Sequence, residues 1–234
     1  MSSTHVRGVA PLLLVALLAA GCASPDTPPT AGSSTPATSS STPATASPSA
    51  GTGSASASAS QPSGSSSTTA SALRMVSDQV LAALAEQDYA ALAALADQGG
   101  VRFSPYAYVD TEHDVVLGPK ALAMLAQDTT VREWGSYDGS GEPISMDWAD
   151  YRDRFVWDRD FTAVTQVSED AEIGSGNTPS NIAEAYPGAH FVEYHDPGED
   201  PQYEGMDWRS LRLVMVPDGE DWRLVGVVHA GWTT

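Results

Sequence analysis

The chain has 234 residues, with 11 Lys and Arg against 30 Asp and Glu, a formal net charge of −19 at pH 7 and a single cysteine. So acidic a chain has few cations with which to neutralise phosphates, which argues against nucleic-acid partners and anionic headgroups and admits cationic ligands, metal ions or basic partners. One cysteine excludes any intrachain disulfide.

The N-terminus carries a modest positive end, Arg7 with His5, then an apolar run from Val9 to Ala20 and the string Leu18-Ala19-Ala20-Gly21-Cys22. This pattern predicts a signal peptide over residues 1–21. The run is about 12 residues, against the roughly 20 a helix needs to cross the hydrocarbon core. Small residues before a cysteine resemble the lipobox of bacterial lipoproteins, although Leu18 stands one place earlier than that pattern has it. The resemblance implies that Cys22 becomes the acylated N-terminus. The anchor would then be acyl chains, with about 0.8 kcal/mol of membrane affinity per buried CH2. The alternative is an ordinary secretory signal that leaves a cysteine nearby. The expected localisation is the cell membrane, lipid-anchored on its extracytoplasmic face.

Residues 22–71 are almost entirely Ser, Thr, Ala, Pro and Gly, with Asp26 the one charge and no aromatic residue. Such a segment buries too little apolar surface to offset chain entropy, so a disordered tether is expected. A flexible coil of that length spans roughly 40 Å.

Residues 72–234 have the composition of one globular domain and hold all the charges except Arg7 and Asp26. Leu73, Val76, Val80 and Leu84 recur at helical spacing. After a break at Gln87-Asp88, Tyr89, Leu92 and Leu95 predict a second helix ending at Gly99-Gly100. Strands are predicted over 101–109 and 115–117, then a short helix over 119–126 opened by Pro119. A strand over 131–137 turns through Asp138-Gly139-Ser140-Gly141 into 143–146. Asp147 is placed to cap a helix running to about Trp157. The polar string Gly174-Ser175-Gly176-Asn177-Thr178-Pro179 leads to a helical turn at 181–185. Strands then close the chain over 190–194, 208–216 and 222–230, the last two joined through Pro217-Asp218-Gly219-Glu220. Helices first and a sheet last predict an α+β domain with N-terminal helices on a mainly antiparallel sheet.

That order of elements, ending in Trp222-Arg223-Leu224-Val225-Gly226-Val227-Val228, resembles the cystatin-like cone fold of the nuclear transport factor and SnoaL-like superfamily, which implies a curved sheet. Four strings, Ser104 to Asp110, Trp134 to Pro143, Gly174 to Thr178 and Asp200 to Trp208, resemble a group of uncharacterised bacterial lipoproteins, a likeness that implies no activity.

SnoaL-like enzymes place an Asp or His inside the cone as general acid or base, and the resemblance singles out His229 as the candidate. An unbroken final strand puts His229 on one face with Val225 and Val227, opposite Trp222, Leu224 and Val228. A hydrogen-bonded or solvated histidine is the simpler reading. Asp110 and Asp138 are its candidate partners. Asp110-Thr111-Glu112-His113-Asp114 starts like a calcium loop but lacks the following Gly and the distal Glu, so it reads as a polar turn. His113, His190 and His195 have no zinc-ligand spacing. Gly174-Ser175-Gly176-Asn177 has no Lys for a phosphate loop. Trp134, Trp148, Trp157, Trp208 and Trp222 read as core rather than as an aromatic ligand wall. No Gly-x-Ser-x-Gly string appears, and Cys22 lies outside the domain, which removes a thiol nucleophile.

No metal and no cofactor are expected. The leading expectation is a noncatalytic, membrane-anchored module that binds a small ligand, a cell-wall component or an envelope protein. The alternative is an isomerase, dehydratase or hydrolase with His229 as general base, and a purely structural spacer is a third.

Overall fold

The computed structural model describes residues 65–233. The signal segment 1–21, Cys22 and nearly all of the tether lie outside the described residues. Helix α1 (Ser65–Glu86) begins within the stretch assigned to the tether. Once a helix is nucleated, each further residue costs little, so Ser and Ala can extend it toward the N-terminus. Gln87, at φ 56°, breaks the helical path. Asp88 then accepts a hydrogen bond from Ala91 N at 2.9 Å to start α2 (Tyr89–Leu95).

β1 (Val101–Ser104) is shorter than the predicted strand, because Pro105 has no N–H with which to continue the ladder. β2 (Val115–Leu117) pairs with it, and α3 (Pro119–Leu122) follows with Pro in its first turn. β3 (Arg132–Ser136) and β4 (Pro143–Met146) form a separate two-stranded hairpin. α4 (Trp148–Phe155) is capped by Asp147 as expected, its carboxylate accepting from Asp150 N at 3.1 Å. β5 (Gln166–Glu169), which no apolar pattern announced, is an edge strand. α5 (Ile182–Ala185), β6 (His190–Asp196), β7 (Arg209–Asp218) and β8 (Asp221–Gly231) complete the domain.

The result is α+β with a six-stranded mixed sheet, ordered β2-β1-β8-β7-β6-β5. All its pairs are antiparallel except β1–β8, which is parallel. One face buries Val192, Tyr194, Leu211, Leu213, Met215, Leu224 and Val227 against Val80 and Leu84 of α1 and against Tyr89 and Leu92 of α2. An aromatic cluster links this core to the β3–β4 hairpin and α4. Tyr151 stacks on Trp134 with centroids 4.0 Å apart, Phe103 meets Trp148 edge-on at 5.2 Å, and Trp148 Nε1 donates to the Tyr89 hydroxyl at 2.8 Å. Of the five tryptophans read as core, those at 134, 148, 208 and 222 are buried, and Trp157 is partly buried against the core.

The alternation expected for the last strand is corrected. The β7–β8 register shifts between Val214 and Met215, so that Val214 faces Gly226 and Met215 faces Leu224, leaving Val225 as an extra residue. This bulge reverses the side-chain alternation. Leu224 and Val227 therefore share the helix-covered core, while Val225 and Val228 join Val109, Ile182 and Val214 on the other face. His229 stands opposite Leu211 and lies on the core face.

The second face holds a buried ion pair. Arg212 Nε donates to Glu193 Oε2 at 3.1 Å, with the two side chains 1% and 0% exposed. Glu193 also accepts from Ile173 N (3.1 Å), Gly174 N (2.8 Å) and Ser210 Oγ (2.6 Å), and Arg212 Nη2 donates to the Gly174 carbonyl at 2.8 Å. These bonds bind the segment after β5 across the sheet. A Cβ on Gly174 would overlap the Trp208 ring and stand 2.7 Å from Ser210 Oγ, so only glycine lets the backbone come this close.

Breaking a buried pair leaves one uncompensated charge, so Arg212→Met is expected to destabilise the domain by about 3–5 kcal/mol in urea unfolding. Adding Glu193→Met should recover only part of that loss, because Ile173 and Gly174 would then have buried N–H groups without acceptors. Full recovery in the double variant would show that the carboxylate does not hold the segment.

Candidate functional site

The loop that follows β1 is shaped by its own hydrogen bonds. Arg102 Nη1 donates to the carbonyls of Asp110, Thr111 and Asp114 at 3.4, 3.1 and 3.1 Å. The Asp110 carboxylate accepts from Glu112 N (2.9 Å) and His113 N (3.1 Å) and pairs with His113 Nδ1 at 2.8 Å. This is the polar turn expected from the sequence, with the Asp110 carboxylate directed to the loop itself.

Asp114 ends the loop and is 6% exposed. Its Oδ2 accepts from Ser104 Oγ at 2.5 Å and Asp110 N at 2.9 Å. Oδ1 accepts no hydrogen bond among the described residues, yet it is not sealed from solvent. It lies 3.4 Å from where a Cβ would stand on Gly135. Burial pushes the Asp114 carboxyl up to about 6, and the Asp110 charge adds to this, while the Ser104 and Asp110 hydrogen bonds and Arg102 oppose it. Tyr151, close enough to feel the Asp114 charge, is fully buried, and its hydroxyl has no partner among the described residues.

Above Asp114 opens a cleft of about 700 Å³, within the size range of small-molecule sites. Tyr106 and Tyr108 come from the loop, Gly135 to Asp138 from the β3–β4 hairpin, and Asn177 to Pro179 from the segment held by Glu193. Asn181 clips that segment to the loop, its Oδ1 accepting from Val109 N at 2.7 Å and its Nδ2 donating to Val109 O at 3.0 Å. Thr178 Oγ1 donates to Asp138 Oδ2 at 2.7 Å, and the hydrogen bonds from Thr233 and Thr178 hold the Asp138 carboxyl below its usual range. Three of the four strings singled out in the sequence thus supply the cleft. The fourth ends at Trp208, whose ring packs on Gly174 and Gly176.

A smaller pocket of about 350 Å³ shares Tyr106, Tyr137 and Asp138 with the cleft and contains His229. His229 is buried; its Nδ1 faces the Pro105 carbonyl and its Nε2 faces Asp158 Oδ2, each at 3.2 Å. Both partners are acceptor atoms, so each ring nitrogen is directed at a protein oxygen. The carboxylate beside His229 is Asp158, which sequence reasoning missed. Asp138 only shares the pocket lining, and Asp110 lines the larger cleft instead. Asp158 Oδ2 also accepts from Arg209 Nε at 2.9 Å. Burial alone would raise the Asp158 carboxyl, but the His229 hydrogen bond and the nearby cations hold it below its usual range. Arg154 lies over the Tyr137 ring at 5.0 Å.

Among the described residues, the other histidines stay apart. His190 Nδ1 pairs with Asp170 at 2.5 Å, and His195 Nδ1 bonds Ser210 Oγ at 2.8 Å. Among the described residues, no group of three or more His, Cys, Asp or Glu converges on a metal position. A more open depression of about 660 Å³ beside α1 is lined by Arg74, Met75, Asp78, Gln79, Ala82 and Glu169, none of which is buried. Comparison with protein families, curated proteins and solved structures finds no match to this chain.

Asp114 makes the domain's stability depend on pH in an unusual direction. Its carboxyl keeps a proton up to about 6 in the fold, against an ordinary 3.8. Within that window the native state binds more protons than the unfolded chain, so this group's contribution falls as pH rises and stays low above it. Asp114→Asn keeps an acceptor for Ser104 and Asp110 N. It is expected to stabilise the domain at pH 7.5 by about 1–3 kcal/mol, an advantage that shrinks toward zero by about pH 4. Paired thermal melts across that range check this; an advantage independent of pH would remove the assignment.

Proposed function

We propose that this chain is a lipid-anchored, extracytoplasmic protein of the cell membrane, attached through acylated Cys22, whose domain binds a small ligand, a cell-wall component or an envelope protein in the cleft above Asp114. The observation that carries this reading is the cleft itself. Its walls come from chain segments far apart in sequence, and each is tied in place by side-chain hydrogen bonds to backbone or to another segment. Such a preformed cavity costs little ordering when a ligand enters. Its aromatic surface is tyrosine, with Tyr108 53% exposed, while the buried tryptophans belong to the core.

The cystatin-like cone belongs to the same proposal. What supports it is α1 and α2 packed on one face of a sheet whose longest strands are β7 and β8. What supports an acyl anchor over a spanning helix is the short apolar run before Cys22; among the described residues, no helix is long and apolar enough to cross a membrane. Catalysis with His229 as general base is the alternative. It is less favoured because both ring nitrogens face acceptors.

Mass spectrometry of the membrane fraction is expected to find Cys22 acylated, and Cys22→Ser should be unacylated and released; an unmodified, soluble wild type would overturn the anchor. For the cleft, Tyr108→Ala is expected to keep the fold and to weaken binding of solubilised wall fragments at least about tenfold by isothermal titration, the loss of one aromatic contact with its buried area. Fragments that bind equally well to the variant would place the binding surface elsewhere.

A further inference from the structure

The cleft's chemistry narrows its ligand. Asp110, Asp114 and Asp138 line it, and among the described residues neither Lys nor Arg does. Among the described residues, the one lining group able to carry positive charge is His113, an exposed imidazole already paired with Asp110. An anion would therefore meet three carboxylates with little to offset them. Two of the three are occupied: the oxygens of Asp110 bond within the turn, and those of Asp138 bond Gly139 N and Thr178. Only Asp114 brings a nearly buried carboxylate with an oxygen left open to the cleft. One open oxygen is too few for a divalent cation, which gathers six or more. An ammonium group needs only one good acceptor, and it gains from aromatic rings around its remaining surface. Tyr106 and Tyr108 supply such rings, and the domain's net charge draws cations toward them.

Resting on the cleft as the binding site, we propose that its ligand is an organic cation whose ammonium group sits on Oδ1 of Asp114 beside the rings of Tyr106 and Tyr108. The carboxylate neutralises the charge, Ser104 and Asp110 N hold the carboxylate in place, and the tyrosines replace the water that the cation leaves behind.

The test is isothermal titration of the full chain in detergent with choline and ethanolamine as probes, beside 3,3-dimethylbutan-1-ol, which has choline's shape without its charge. At pH 7.5 at least one ammonium probe is expected to bind, at least about tenfold more tightly than the neutral isostere, and Asp114→Asn should lose about the same factor. Affinity should fall as pH drops from 7.5 to 5, because protonation of Asp114 removes the charge that the ammonium contacts. The groups that act on Asp114 are Ser104, Asp110, Arg102 and His113 around the loop, with Tyr151 in the helix-covered core and Tyr186 on the other face both close enough to feel its charge. His113 also charges as pH falls and repels a cation, so the slope left in Asp114→Asn measures its share.

Equal binding of the isostere, or unchanged affinity in Asp114→Asn, overturns the proposal. Should acetate or N-acetylglucosamine bind, with loss in Tyr108→Ala, while neither ammonium does, the cleft remains a binding site and this inference alone falls. If no probe binds in a manner sensitive to Tyr108, both fall.

Discussion

The cleft depends on a charge pair that lies outside it. Glu193 and Arg212 are buried side by side on the sheet face away from α1, and taking both charges from water is costly. Partners offset much of that cost: Glu193 accepts two backbone N–H groups and the Ser210 hydroxyl, and Arg212 reaches the Gly174 carbonyl. Those backbone partners belong to the segment that goes on to supply Asn177, Thr178 and Asn181 to the site. Two apolar side chains at 193 and 212 could cover the sheet equally well, but they would offer no acceptor or donor to fix where the segment crosses. The ion pair sets position, and position is what a cleft built from separate segments needs.

Much of the fold was legible because burial on one face leaves a period in the sequence. The apolar spacing through Leu73, Val80 and Leu84, the Asp147 cap and the long terminal hairpin each follow from local chemistry, and each appears where expected. The departures have local causes of other kinds. β1 stops at Ser104 because Pro105 cannot donate, and β5 escaped notice because Gln166-Val167-Ser168-Glu169 is an edge strand with one apolar residue. The bulge at Val225 left no signal, since the same valines serve either alternation, yet it decides that His229 faces the core side with Leu224 and Val227.

The site was legible in its segments and illegible in its chemistry. The strings from Ser104, Trp134 and Gly174 stood out, and they do meet around one cavity. That Asp114 would matter more than Asp110, four residues earlier in the same turn, turns on burial and on the hydroxyl of Ser104, ten residues away. In the same way His229 was visible as a candidate, whereas Asp158 and the Pro105 carbonyl, which occupy its two nitrogens, come from distant parts of the chain. Residue type can nominate a titratable group; only the fold determines which of its atoms are already taken.

The two carboxylates that meet the sheet and the cleft make opposite uses of burial. Glu193 is fully enclosed and every contact it makes is structural, so its charge serves to hold the chain. Asp114 is nearly as enclosed but keeps one oxygen open, and its ionisation above about 6 is a cost to folding that its protein partners do not fully offset. An asparagine could satisfy Ser104 and Asp110 N without that cost. A nearly buried charge with an open oxygen at the floor of a tyrosine-lined cavity is therefore a cost left standing in the fold, and it is the cost that a cation of the proposed kind would offset on binding.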